Sequence, residues 1–146
     1  MKKPYVVVST LLAIMQFAYR AEAQTGLEKG RGKLEGTWEC VSYKSGEETR
    51  FSEFPKNEKH IKLITPTHFT WVTYDVDKKK ALSTAGGTYS LEGDSYKEQI
   101  EFAGEGVEEL AGKEQSFKIK VEGNKWSLSG VLSSGVKIEE VWKRVQ

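Results

Sequence analysis

Residues 115–131 carry the sequence QSFKIKVEGNKWSLSGV, and this stretch decides the fold. Apolar and polar residues alternate on both sides of Gly123-Asn124. A period of two is typical of a strand with one face in a core, and a Gly-Asn pair between two such runs indicates a tight hairpin. The stretch therefore predicts two antiparallel strands, 115–122 and 125–131. The expected inward residues are Phe117, Ile119, Val121, Trp126 and Leu128.

The same period continues through the rest of the chain. Pro66 separates two runs, since proline cannot donate to a strand ladder, and Glu92-Gly93-Asp94 and Ser133-Ser134-Gly135 are further turns. Eight antiparallel strands in a meander close naturally into a barrel without exposed edges. We therefore predict an all-β, eight-stranded antiparallel up-and-down barrel, whose interior is filled by side chains or holds one small ligand. The predicted strands are 34–44, 60–65, 67–75, 87–91, 95–103, 115–122, 125–131 and 136–145.

Composition excludes several classes of protein. The chain has 146 residues, a length that favours a single domain, and a net charge of +1, which argues against a nucleic-acid binder. Cys40 is the single cysteine, so no intramolecular disulfide and no multi-cysteine metal cluster can form. Two histidines are too few for a histidine-rich site, and no nucleotide or hydrolase motif is present. We expect no metal and no cofactor, and a buried, inert Cys40 thiol.

The N-terminus has the pattern of an export signal. Lys2-Lys3 precede a mainly apolar run at 6–17, and Ala21-Glu22-Ala23 resembles a signal-peptidase site, with cleavage expected before Gln24. A buried N-terminal helix and an uncleaved membrane anchor are the alternatives. The mature protein is then expected in the periplasm or outside the cell, without a membrane span. The predicted organisation is a signal peptide at 1–23, a flexible lead-in at 24–33 and the barrel domain at 34–146.

Alternation also sorts the barrel side chains into an inward and an outward set. Tyr96, Glu98 and Phe102 share the more apolar face of 95–103, so we expect them to point inward. Glu140 has the same orientation in the last strand. Interior carboxylates need partners or a raised pKa. The candidate ligand pocket comprises His68, Trp71, Tyr89, Tyr96, Glu98, Phe102, Phe117, Trp126 and Glu140.

A resemblance enters at the start of the first strand. Leu34-Glu35-Gly36-Thr37-Trp38 resembles the Gly-x-Trp opening of lipocalins and related calycins. This likeness implies that Trp38 closes one barrel end and that Arg144, from Trp142-Lys143-Arg144, packs over its ring. Residues 33–145 as a whole resemble small secreted lipocalin-like domains of bacteria, many of unknown function. The other segments that carry the likeness are 62–69, 86–89, 96–98 and 139–144.

Three functions remain open at this point. The first is a non-enzymatic, exported binder of a small, largely apolar or amphiphilic ligand inside the barrel. The second is a protein-interaction or inhibitor module whose barrel is filled, with an internal salt bridge such as Glu140 to Arg144. The third is an enzyme that uses Glu98, Glu140 or His68. The loop at 45–59, with Phe51 and Phe54, is either a lid over one barrel mouth or an unstructured connection.

Overall fold

The structure, a computed structural model, describes residues 32–145 as a closed barrel of antiparallel strands. Each strand pairs with its neighbour in sequence, and the last strand pairs with the first. This arrangement confirms the predicted eight-stranded up-and-down barrel. Helix in the described range is confined to one 3₁₀ turn, Glu108–Leu110. The strands are β1 Gly36–Ser45, β2 Glu58–Ile64, β3 His68–Asp75, β4 Lys80–Glu92, β5 Ser95–Ala103, β6 Glu114–Glu122, β7 Lys125–Val131 and β8 Lys137–Arg144.

The two ends of the barrel differ in their connections. One end, called the turn end here, has the short connections 65–67, 93–94 and 123–124. Gly93 and Gly123 have φ values of 62° and 60° there, a backbone region that glycine enters without a steric cost. The opposite end, called the loop end, has the connections 46–57, 76–79, 104–113 and 132–136.

The largest fully buried aromatic side chains lie towards the turn end. Trp38, Trp126, Trp142 and Tyr96 are all fully buried. The Trp126 ring lies 6.0 Å from the Trp38 ring, 5.9 Å from the Trp142 ring and 5.7 Å from the Tyr96 ring, measured between centroids. These rings therefore fill the half of the barrel nearer the turn end with aromatic contacts.

A β-bulge in β5 corrects the expected position of Phe102. Gly86 pairs with Phe102 and Gly87 with Ile100, so Glu101 is an extra residue in β5. An extra residue reverses the inside–outside alternation beyond it. Phe102 consequently lies on the outer surface, 50% exposed, and cannot line an interior pocket.

His68 is also on the outside of the barrel. Its neighbour Phe69 is 3% exposed and faces the core, so the alternation of β3 turns His68 outward. The exposed imidazole Nδ1 lies 2.7 Å from the Thr67 hydroxyl oxygen. The expectation that His68 contributes to an interior pocket is therefore wrong.

The fourth strand is longer than predicted. β4 runs over Lys80–Glu92, whereas alternation indicated only 87–91. Its first half contains small residues such as Ser83 and Ala85 and a bulge opposite Thr73 and Tyr74, which together hide the period of two.

The predicted signal peptide and most of the predicted lead-in lie outside the described residues. Within 32–145, the structure has no helix long and apolar enough to cross a membrane.

Candidate functional site

A buried ion pair lies inside the barrel. Lys62 Nζ, on β2, is 2.7 Å from Glu98 Oε1, on β5, and both side chains are only 4% exposed. Glu98 therefore faces inward, as alternation indicated, but its partner was missed. The signal was present in the sequence, since Lys62 has the same parity as the buried Ile64.

Four aromatic rings surround the Lys62 ammonium group. Its Nζ lies 5.0 Å from the centroid of Trp142 and 5.6 Å from that of Trp126. Phe69 and Tyr96 complete the enclosure at 5.6 and 5.8 Å. Cation–π attraction is strongest when the cation has lost its water, so these rings hold the lysine in addition to Glu98.

Glu140 is a second interior carboxyl. Its Cα partners, Tyr43 and Leu128, both belong to inward-facing positions, and the Glu140 side chain is partly buried. Trp142 Nε1 donates a hydrogen bond of 3.0 Å to Glu140 Oε2. Burial is the main cause that raises the pKa of Glu140, and the Glu98 charge adds to it.

Glu140 has no cationic partner within residues 32–145. No lysine or arginine in this range forms an ion pair with it, although the charge of Lys62 acts to lower its pKa. The expected salt bridge from Glu140 to Arg144 is absent, because the Arg144 guanidinium donates to the carbonyl oxygens of Glu35 and Lys33 instead.

His60 is an interior histidine that sequence reasoning did not single out. It shares the inward parity of Lys62 on β2. Its ring stacks on Phe54 at 5.3 Å and contacts Trp71 at 5.2 Å, and Nδ1 lies 2.7 Å from Thr73 Oγ1. Burial, with the nearby Lys62 charge, lowers the pKa of His60 to about 3, so the imidazole is neutral.

Several inward-facing side chains at mid-barrel and near the loop end are only partly buried. The partly buried members of the core, apart from Val121, lie at mid-barrel or towards the loop end. Part of the loop 46–57 covers this mouth, because Phe54 packs on Tyr43 with ring centroids 4.8 Å apart. Phe51 is 48% exposed, with Lys44 Nζ 4.9 Å from its ring centroid. The partly buried residues are Tyr43, Phe54, Trp71, Ala103, Val107, Leu132 and Ile138.

Some of the remaining predicted pocket residues are buried in the core, and others are partly accessible. Tyr96, Phe117 and Trp126 are buried and contact one another through Tyr96. The Tyr89 hydroxyl donates to the Thr65 carbonyl at 2.9 Å. Trp71 stays partly accessible. Of the nine candidates, Trp71 and Glu140 are therefore the inward-facing ones that are only partly buried.

The turn end is closed by Trp38 and Arg144. The guanidinium carbon of Arg144 lies 4.1 Å from the Trp38 ring centroid. Trp38 Nε1 donates to the Leu34 carbonyl at 2.7 Å, and Arg144 Nη2 donates to the Lys33 carbonyl at 3.0 Å. These bonds tie the segment before β1 to the end of β8.

The family of the chain follows from a sequence match over nearly the whole barrel. Residues 33–146 match the family described as Domain of unknown function (DUF4488). The chain belongs to this family. No curated protein matches the DUF4488 chain.

Solved structures similar to this DUF4488 barrel establish its fold. A lipocalin-like protein from Bacteroides uniformis has a TM-score of 0.58 and 15% identity, covering 78% of this chain and 100% of the other. An uncharacterized protein from Bacteroides eggerthii has a TM-score of 0.53 and 14% identity, covering 76% and 98%. A redesigned β-barrel has a TM-score of 0.52 and 12% identity, covering 80% and 96%. At this identity the likeness shows a lipocalin-like fold.

The titratable groups inside the DUF4488 barrel include carboxyl, ammonium, imidazole and thiol groups. Residues 32–145 contain no group of three histidine, cysteine, aspartate or glutamate side chains that could hold a metal ion. Cys40 is buried, and burial together with the Glu140 charge raises the pKa of its thiol. Of the three residues considered for catalysis, His68 lies outside the barrel, whereas Glu98 and Glu140 both lie inside it.

Proposed function

We propose that this protein binds a small molecule with an apolar body and a polar head through the loop end of its barrel. The observation that carries the proposal is the partial accessibility of several inward-facing side chains at mid-barrel and near the loop end. Side chains near the turn end are packed, whereas Tyr43, Trp71 and Ile138 remain partly accessible. Ligand sites are typically apolar clefts with a few placed polar groups, and this mouth has that composition.

The proposed site combines polar groups with aromatic and aliphatic neighbours. Glu140 pairs in register with Tyr43, and the neutral His60 ring contacts Trp71. Trp142 contacts both the histidine ring and the Glu140 carboxyl. Glu98 is already paired with Lys62, so Glu140 replaces it as the residue that receives the head group. The apolar body would lie along the mouth beside Ile138.

The experiment is a titration of the full chain with short amphiphiles, followed by tryptophan fluorescence. Trp71 and Trp142, whose rings both contact His60, are the expected reporters. Ile138→Phe would fill the mouth and weaken binding. Val131→Phe is the matched control, because Val131 is 53% exposed on the outer surface and should leave binding unchanged. Equal effects of the two variants, or no saturable signal with any amphiphile, would contradict the proposal.

A second candidate is a protein-interaction module, favoured by an apolar row on the outer surface. Leu63 and Phe102 are 43% and 50% exposed, and they are linked across the sheet through Thr70 and Gly86, which pair in register. Sedimentation of the parent and of Leu63→Ser/Phe102→Ser at several concentrations tests self-association. A sedimentation coefficient that is independent of concentration for both proteins argues against a second copy as the partner.

We also propose that the protein is exported. Lys2-Lys3, the apolar run at 6–17 and Ala21-Glu22-Ala23 support this. N-terminal sequencing of the protein from the producing cell should then begin at Gln24. A mature form that begins at Met1 would rule out cleavage.

A further inference from the structure

Among residues 32–145, the interior of the barrel holds one more carboxyl group than it holds cations. Between the two ends, the inward-facing charged side chains among residues 32–145 are Lys62, Glu98 and Glu140. At the loop end, the buried Asp75 has its own cation, because Lys78 Nζ lies 3.3 Å from its carboxylate. Lys62 and Glu98 cancel each other, so an ionised Glu140 leaves one negative charge without a counter-ion.

An uncompensated carboxylate in this position is costly. Removing a charge from water without pairing it is strongly unfavourable. The single hydrogen bond from Trp142 satisfies one oxygen of Glu140. The other groups around it, Cys40 and Tyr96, have thiol and phenol pKa values raised by burial, so both stay neutral, and neither type of group can carry a positive charge.

Resting on the proposed function, we infer that the head group of the ligand is a cation, such as a primary or secondary ammonium, that pairs with Glu140. The aromatic neighbours suit a cation as well. Trp71 and Trp142 both contact the neutral His60 ring. Aromatic rings therefore surround this part of the interior, and His60 adds no positive charge to that of Lys62. An ammonium over such faces gains cation–π attraction in addition to the ion pair.

An anionic head group does not fit the same site. The nearest cation, Lys62, is bonded to Glu98 at 2.7 Å and enclosed by four aromatic rings. A carboxylate ligand would therefore meet Glu140 and Glu98 before it met an available donor. The charge arrangement favours amines over fatty acids of equal length.

Binding of a cation should also release a proton. In the free protein, burial raises the pKa of Glu140, which favours its neutral form. An ammonium beside the carboxyl lowers that pKa, so the proton leaves as the ion pair forms. The other titratable groups of the cluster gain no new partner in this step. These groups are Lys62, Glu98, Cys40, Tyr96 and His60.

The test compares octylamine, octanol and octanoate, which share one chain length and differ in head group. Calorimetric titration of the full chain should give octylamine an affinity about tenfold or more above the other two, a difference of about 1.4 kcal/mol. Glu140→Gln should reduce this preference to less than about twofold, well under 1.4 kcal/mol. Glu139→Gln is the matched control, since Glu139 is exposed and paired with Lys44 at 2.6 Å, and it should leave the preference intact.

Proton release is read from titrations in two buffers of different ionisation enthalpy. The parent should release a fraction of one proton with octylamine, and Glu140→Gln should release none. Glu140→Asp keeps the charge and should keep the preference for the amine, which separates loss of charge from damage to the fold.

The outcomes distinguish this inference from the proposed function. The three probes could bind with equal affinities that Glu140→Gln leaves unchanged and Ile138→Phe weakens. This result would refute the cationic head group but would still support a ligand site in the mouth. A preference for octanoate would overturn the inference outright. Absence of binding by all three probes would refute the site and the cation together.

Discussion

Replacing Lys62 by methionine is expected to destabilise the barrel strongly. Methionine keeps the length of the aliphatic stem but removes the ammonium, so Glu98 is left as a buried carboxylate without its cation. Both side chains of the pair are only 4% exposed. The aromatic rings around Lys62 cannot take over its role, because they present negatively polarised faces to the interior.

The magnitude follows from the separation and burial of the pair. At 2.7 Å and an effective dielectric constant of about 20, the attraction between two unit charges is roughly 6 kcal/mol. Desolvation of both ions offsets much of this in the intact pair, but removal of one partner leaves the other unpaired and costs about 3–5 kcal/mol. That loss is a large share of the roughly 5–15 kcal/mol that stabilises an ordinary domain.

The assay is equilibrium unfolding in urea, followed by tryptophan fluorescence. With an m-value of about 2 kcal/mol per molar urea, the midpoint should fall by about 2 M. Lys118→Met is the matched control, since Lys118 pairs with Asp94 at 2.8 Å but both side chains are 67% exposed. An exposed pair contributes about 0–1 kcal/mol, so this control should hardly move the midpoint.

The double variant Lys62→Met/Glu98→Leu completes the test. It removes both charges, and replacing a buried ion pair by apolar side chains is often neutral or stabilising. The double variant should therefore be more stable than Lys62→Met alone. Similar small losses for Lys62→Met and Lys118→Met, or a double variant whose loss equals the sum of its singles, would refute the reasoning.

Three further predictions concern packing and titration. Trp38→Ala should cost about 3–5 kcal/mol, and its loss should not add to that of Arg144→Ala because their groups are 4.1 Å apart; strict additivity in urea would contradict the contact. Gly87→Ala should cost about 1–3 kcal/mol by overpacking, because its Cβ would lie 1.9 Å from the Gln99 carbonyl oxygen; an unchanged thermal midpoint would argue against the close approach. The raised pKa of Glu140 means that this residue stabilises the fold at a pH below the ordinary glutamate pKa, and that this stabilisation is lost as the pH rises through the folded-state pKa. The stability of Glu140→Gln relative to that of the parent should therefore increase with pH. Parallel curves of stability against pH for the parent and Glu140→Gln would be inconsistent with a buried carboxyl whose pKa is raised.

Alternation in the sequence was sufficient for most of the fold. β6 and β7 begin and end within one residue of their predicted bounds, because their apolar residues alternate without interruption around a glycine turn. The bulge in β5 could not be read in the same way. An extra residue such as Glu101 is defined by its pairing with β4, and pairing depends on a strand that is distant along the chain, so Phe102 was placed on the wrong face.

The candidate site was less predictable for a related reason. Alternation places Lys62 and His60 inward, but a lysine is assigned to the surface by default because lone charges are rarely buried. Its burial becomes intelligible only with Glu98, which lies 36 residues further along the chain. The sequence shows which side chains share a face, whereas the barrel closure decides which of them meet.

The ion pair and the proposed site are joined by one side chain. The Trp142 ring is the nearest of the four rings to Lys62, at 5.0 Å, and its Nε1 donates to Glu140. Glu98 thereby fixes Lys62, Lys62 lies against Trp142, and Trp142 orients the carboxyl that we propose to receive the ligand. Because a buried ion pair is weak evidence for stability by itself, its value here lies in this orientation. The Lys62 charge also acts to lower the pKa of Glu140, so loss of the lysine would disfavour the ionised carboxyl and move amine binding to higher pH.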